Sequence, residues 1–187
     1  MKEKVKAAVF ASGTGSNFEA IIEEKDLACE IALLVCDQPA ATVIQKANRY
    51  HVPTFVFQPK QFTNKLSFET EIVKKLKKHN ITWIFLAGYM RLIGPTLLNA
   101  YEGKIINIHP SLLPEFPGLD AIGQAYRAKV KKTGVTIHYV DEGMDTGPII
   151  AQEEVPIFPE DSLEQLENRI HEVEHRLYPQ VIQSLIK

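Results

Sequence analysis

The sequence predicts an α/β fold: a doubly wound, mostly parallel sheet of Rossmann-like type with helices on both faces. Three observations lead there. Short, predominantly apolar runs recur through the first half, among them VKAAVFA at 5–11, IALLVC at 31–36 and TWIFLA at 82–87. Runs without polar alternation read as strands buried on both faces, which is the habit of parallel sheets. Amphipathic stretches of helical period separate them, as crossover helices require. Finally, two later strand patterns lie close enough in sequence to pair antiparallel, which puts an antiparallel edge near the carboxyl-terminal strands.

In chain order, Val5 to Ala11 reads as the first strand and ends at Ser-Gly. Ser16 to Lys25 reads as a helix with Phe18, Ile21 and Ile22 on one side. A strand over Ile31 to Cys36, a helix over Ala40 to Tyr50 and a short strand over Thr54 to Phe57 follow. Lys65 to Lys78 is a charged helix whose expected apolar face is Leu66, Ile72, Val73 and Leu76. Strands are expected at Thr82 to Ala87, Lys104 to Ile108, Val135 to Val140 and Pro148 to Val155. From Ser162 a last helix repeats Leu163, Leu166, Ile170 and Val173 as one stripe. Asp161 and Glu164 fit a capping box, and Pro179 should bend or restart the helix.

With 187 residues, the chain has the size of one ordinary domain, and no repeat or linker divides 1–187. Hydrophobic residues at 45% and charged ones at 24% exclude a disordered or collagen-like chain. Lys plus Arg is 21 against 23 Asp plus Glu, without the basic excess of a dedicated nucleic-acid binder. Nothing approaches the ~20 apolar residues of a membrane span. Met1-Lys2-Glu3-Lys4 leads straight into the first strand, without a signal-peptide core. Cys29 and Cys36 have no metal-like spacing, so neither a disulfide scaffold nor a zinc site is expected, and a reducing cytoplasm is the natural location.

Glycine placement points to the chemistry. Gly13 and Gly15 stand alone early, and the remaining glycines all fall between Gly88 and Gly147, interleaved with Pro95, Pro110, Pro114 and Pro117. Site-bearing loops are expected where Gly and Pro concentrate.

Three segments carry candidate chemistry. The first is ASGTGSN at 11–17, between a strand and a helix, where free N–H groups and the helix dipole suit a phosphate. A dinucleotide fingerprint, with Asp37 as the ribose acid, fails because Phe18 occupies the third glycine position. A monophosphate site held by Gly15, Ser16 and Asn17 is the better reading, against the bland one of a tight turn. The second is IINIHPSLLP at 105–114. Asn107 and His109 are two apart at a strand end, so they share a face. One offers an amide donor, the other an imidazole that donates or gives up a proton near neutral pH. The third is DEGMDTGP at 141–148, an acidic loop between two strands from which a carboxylate could meet His109. His51, His79 and His138 show no partner in the sequence, and no nucleophile elbow is present.

Together these segments resemble the formyltetrahydrofolate-dependent formyltransferases, and among them the glycinamide ribonucleotide formyltransferases of purine synthesis. SGTGSN at 12–17, LAGYMRLI at 86–93, NIHPSLLPEFPG at 107–118, GVTIHYVDEGMDTGPII at 134–150 and EHRLYP at 174–179 carry the resemblance over nearly the whole chain. It implies one formyltransferase domain, with the phosphate site in its amino-terminal half and the folate and catalytic loops in the other.

The co-substrate implied is 10-formyltetrahydrofolate, with no metal. Gly15, Ser16, Asn17 and Glu174 would hold the phosphoribosyl glycinamide. Lys65, Met90, Arg91, Leu92, Ile93, Asn107, Asp141, Glu142, Gly143, Met144 and Asp145 would bind folate. Lys65 stands where relatives often carry Arg, so it keeps the charge without the bidentate fork. Asp120 and Gly123 depart from the family pattern and receive no role. Asn107, His109 and Asp145 would be catalytic. Asn107 and a protonated His109 would meet the oxyanion formed when the glycinamide amine attacks the formyl carbon, and Asp145 would keep His109 charged and oriented.

The partners implied are small molecules, not nucleic acid or a membrane, for a monomer or homodimer. A methionyl-tRNA formyltransferase or a formyltetrahydrofolate hydrolase would need an added carboxyl- or amino-terminal domain. A nicotinamide-dependent oxidoreductase is the reading from another class, and Phe18 opposes it. A folate- or nucleotide-binding protein without turnover is the remaining alternative.

Overall fold

The computed structural model describes residues 3–187, so the expected lead-in from Met1 and Lys2 lies outside the described residues. Its strands are β1 (Val5–Ala11), β2 (Cys29–Cys36), β3 (Thr54–Val56), β4 (Trp83–Leu86), β5 (Ile105–His109), β6 (Lys132–Tyr139) and β7 (Ile149–Pro156). The helices are α1 (Ser16–Ile22), α2 (Thr42–Arg49), α3 (Lys65–Lys78), α4 (Pro95–Ala100), α5 (Ala121–Arg127) and α6 (Leu163–Ile186), with a 3-10 turn at Pro59–Gln61. The strands form one seven-stranded sheet in the order β3-β2-β1-β4-β5-β6-β7. β1 to β5 run parallel, while β6 and β7 each pair antiparallel, so the antiparallel part begins one strand earlier than the hairpin alone suggested.

Apolar residues fill both faces of the sheet. Phe18 and Ile21 of α1, Val43 and Ala47 of α2, and Leu166, Ile170, Tyr178 and Ile182 of α6 pack on one face. Phe68, Ile72 and Leu76 of α3 and Leu97 of α4 pack on the other. Burying a ring such as Phe18, which is fully enclosed, contributes about 1.5–3 kcal/mol. The chain leaves β1 toward β2 on one side and reaches β4 on the other. Between the ends of β1 and β4 the strand order reverses, and a crevice opens at such a switch point.

Local expectations differ from the structure in three places. Leu66 is exposed. Phe68 takes its place, stacking on Phe57 with ring centroids 5.3 Å apart, because the buried stripe runs 68, 72, 76 and Leu66 falls off it. The α6 cap is Ser162, which accepts from Gln165 N at 3.1 Å while Gln165 accepts from Ser162 N at 2.8 Å. Asp161 instead accepts from both terminal guanidinium nitrogens of Arg169 at 2.7 and 2.8 Å, and that pairing draws its pKa down to about 2. Pro179 does not restart α6, which continues to Ile186. Tyr178 beside it is fully buried and donates to the Leu86 carbonyl at 2.8 Å, tying α6 to β4.

Candidate active site

A cleft of about 510 Å³ opens at the carboxyl end of β1, β4 and β5. The start of α1 contributes Ser16 and Asn17, the segment after β4 contributes Gly88 to Ile93, and β5 contributes Asn107 to His109. α6 adds Glu174, and the 118–120 loop with Ala121 and Ile122 at the start of α5, together with the 143–145 loop, completes the lining. Gly15 caps α1 from a left-handed backbone, φ 76°, with no side-chain cap, leaving the first-turn N–H groups uncovered by a side chain.

Asn107 and His109 share a face of β5, while Ile106 and Ile108 face the core. His109 Nε2 lies 2.9 Å from the Phe116 carbonyl, and Nδ1 lies 3.5 Å from Asp145 Oδ2. Both neighbours only accept, so a doubly protonated ring satisfies the pair of contacts that a neutral ring cannot. Asp145 Oδ2 also accepts from Gly118 N at 2.8 Å. Asp145 sits at φ 56°, a left-handed conformation that costs an L-residue about 1–2 kcal/mol and is held here by its contacts.

His138, to which the sequence assigned no partner, belongs to the same cluster. It pairs with Asn107 across the β5–β6 ladder, and its Nε2 lies 3.3 Å from Asn107 Nδ2 and 3.8 Å from Asp145 Oδ1. His138 Nδ1 faces the Tyr139 carbonyl at 2.8 Å and must carry the proton. The neutral ring then accepts at Nε2 from Asn107, leaving that amide a second hydrogen for a ligand. Burial lowers the pKa of His138 and favours this neutral form, with the Asp145 charge opposing. The cross-strand register was the missed signal, because His138 is recognisable only once β6 is known to run against β5.

At the other end of the cleft, Glu174 is buried and accepts from Asn17 Nδ2 at 3.3 Å, with His171 Nε2 at 3.8 Å. Burial, partly offset by the Asn17 bond, raises its pKa to about 7. Asn17 Oδ1 is buried without a partner. Met90, Leu92, Leu119 and Met144, large apolar side chains that remain exposed, rim the cleft.

Of the expected site residues, Ser16, Asn17, Met90, Arg91, Leu92, Ile93, Asn107, His109, Gly143, Met144, Asp145 and Glu174 line this cleft. Gly15, Lys65, Asp141 and Glu142 stand outside its lining. Asp141 accepts from Gly143 N at 3.0 Å and Thr146 Oγ1 at 2.6 Å, so it folds its loop. Among the described residues no group of three His, Cys, Asp or Glu is placed to hold a metal ion, and no helix is long and apolar enough to cross a membrane.

The formyl transferase family model matches residues 5–182. Phosphoribosylglycinamide formyltransferase of Bacillus subtilis (strain 168) is 60% identical over 97% of this chain and 94% of its own length. Among solved structures, glycinamide ribonucleotide transformylase 1 from Geobacillus kaustophilus superposes with a TM-score of 0.96 at 63% identity, covering 99% of this chain and all of that one. Phosphoribosylglycinamide formyltransferase from Bacillus halodurans gives 0.95 at 57% identity, covering 97% of this chain and 95% of that one. A match of this extent, on a sheet whose switch-point cleft gathers Asn107, His109 and Asp145, shows that the chain belongs to the formyl transferase family.

Proposed function

We propose that this chain transfers a formyl group from 10-formyltetrahydrofolate to the amine of glycinamide ribonucleotide, as one formyltransferase domain over 1–187 acting in the cytoplasm. The observation that carries this reading is the convergence of Asn107, His109 and Asp145 in one cleft with Asn17 and Glu174.

The cleft suits both substrates. Met90, Leu92, Ile93, Leu119, Val140 and Met144 give apolar walls for a flat folate ring. Ser16 and Asn17 at the start of α1 offer donors to a phosphoribosyl group, and Glu174 offers acceptors to its hydroxyls. When bound, the folate supplies the formyl carbon that the glycinamide amine attacks. The free amide hydrogen of Asn107 and the protonated His109 stabilise charge developing on the formyl oxygen, because both are aimed before reaction. Asp145 holds the His109 ring in orientation. His109 is also the group placed to move a proton between the attacking amine and the departing nitrogen.

A coupled absorbance assay with 10-formyltetrahydrofolate and glycinamide ribonucleotide tests the reading. Turnover is expected with this nucleotide and none with a tRNA run in parallel. The absence of turnover with the nucleotide would sink the assignment.

A further inference from the structure

Asp37 follows the last residue of β2 and is 2% exposed, yet it does not line the cleft. Its Oδ1 accepts from Ser12 Oγ at 2.5 Å and its Oδ2 from Arg91 Nε at 2.7 Å. Ser12 Oγ spends its one hydrogen on Asp37 and accepts from Met90 N at 3.0 Å. Ser12 N donates to the Gly88 carbonyl at 3.1 Å. One buried carboxylate thus laces two segments: the 12–15 loop, which leads into Ser16 and Asn17 at the start of α1, and the 88–93 loop, which presents Met90 to Ile93.

We propose that Asp37 is a positioning residue that couples the phosphate loop to the folate-side wall of the cleft, so that the two substrates bind with linked affinities. The proposal rests on the formyl-transfer reading above. Its physical basis is the rigidity of the bridge. A buried carboxylate does not readily give up either of its donors, because an unpaired buried charge is strongly disfavoured. A ligand that shifts the 12–15 loop therefore moves Ser12, and with it Asp37, Met90 N and Arg91. Two ligands biasing one network is the condition for a coupling free energy, and the coupling is reciprocal. A merely stabilising ion pair would raise the melting temperature without linking the two affinities.

The test titrates glycinamide ribonucleotide into the chain, without and with saturating tetrahydrofolate, which lacks the formyl group and so allows no turnover. In the natural chain the folate should change the nucleotide Kd by about fivefold or more. In Asp37→Asn the ratio should fall to within about twofold of unity. The amide is isosteric but cannot accept from both donors at once. At saturation of both substrates, kcat should stay within about threefold, because Asp37 touches neither reacting group.

Ser12→Ala cuts the same bridge from its other end by removing one hydroxyl, and it decides the matter should Asp37→Asn fail to fold. A ratio of one in the natural chain, or a ratio that both variants retain, would overturn the proposal. Failure of the natural chain to formylate the nucleotide in the assay above would overturn the functional reading instead.

Discussion

Asn17 and Glu174, 157 residues apart in sequence, meet through an Asn17 Nδ2 to Glu174 Oε2 hydrogen bond of 3.3 Å. The bond joins the start of α1 to the middle of α6 and sets a titratable carboxyl at one end of the cleft.

That carboxyl should leave a signature in stability. Burial raises its pKa from 4.5 to about 7. Between those values the folded protein binds more protons than the unfolded chain, so stability falls as pH rises through the window and is fully present below it. Glu174→Gln removes the titration. Thermal scans should show the variant gaining on the natural chain as pH rises from about 4.5 to 7. Parallel pH profiles would mean that the buried carboxyl titrates normally.

Asn107→Ala should lower kcat roughly 10²–10³-fold, the usual cost of losing one oxyanion donor. It also removes the donor to His138 Nε2. Nucleotide binding, measured by calorimetry, should survive because Ser16, Asn17 and Glu174 are untouched. Unchanged turnover would remove Asn107 from the chemistry.

Asp145→Asn should show in the neighbouring ring as well as in the rate. The Asp145 charge raises the pKa of His138 against the larger lowering by burial. Taking the charge away should move the His138 titration, followed by NMR of its imidazole, further down. A kcat loss of roughly 10²-fold is expected alongside, as when general acid–base catalysis is impaired. A His138 titration that does not move would place the carboxylate elsewhere in solution.

Gly15→Ala should injure the nucleotide end selectively. Gly15 has φ 76°, and a Cβ there would run into the Val43 side chain. The overpacking costs about 1–3 kcal/mol, read as a lower melting temperature. Moving the loop that leads into Ser16 and Asn17 should raise KM for the nucleotide more than KM for the folate. An equal rise in both would point to general loosening.

Much of this was legible in the residues themselves. The apolar runs of β1, β2 and β4 could only be buried strands, and the Asn107–His109 spacing placed both side chains on one face. What escaped was set by tertiary register. His138 gained its role from facing Asn107 across an antiparallel ladder. Asp37 enters the sequence reading only as the ribose acid of a dinucleotide fingerprint that Phe18 rules out, because its donors, Ser12 and Arg91, lie 25 and 54 residues away. Local spacing assigns Leu66 to the core, yet the helix turns it outward. The spacing to Glu164 makes Asp161 a cap candidate, but the neighbouring Ser162 performs that role and Arg169 claims the acid.

In β5, apolar Ile106 and Ile108 alternate with Asn107 and His109. Inserting or deleting a single residue within Ile105–His109 would rotate the polar pair into the apolar core and the isoleucines toward the cleft. Chain drift in this segment is therefore policed by solubility before it is ever judged by reaction rate, and the aim of the amide and imidazole is inherited from the packing of their greasy neighbours.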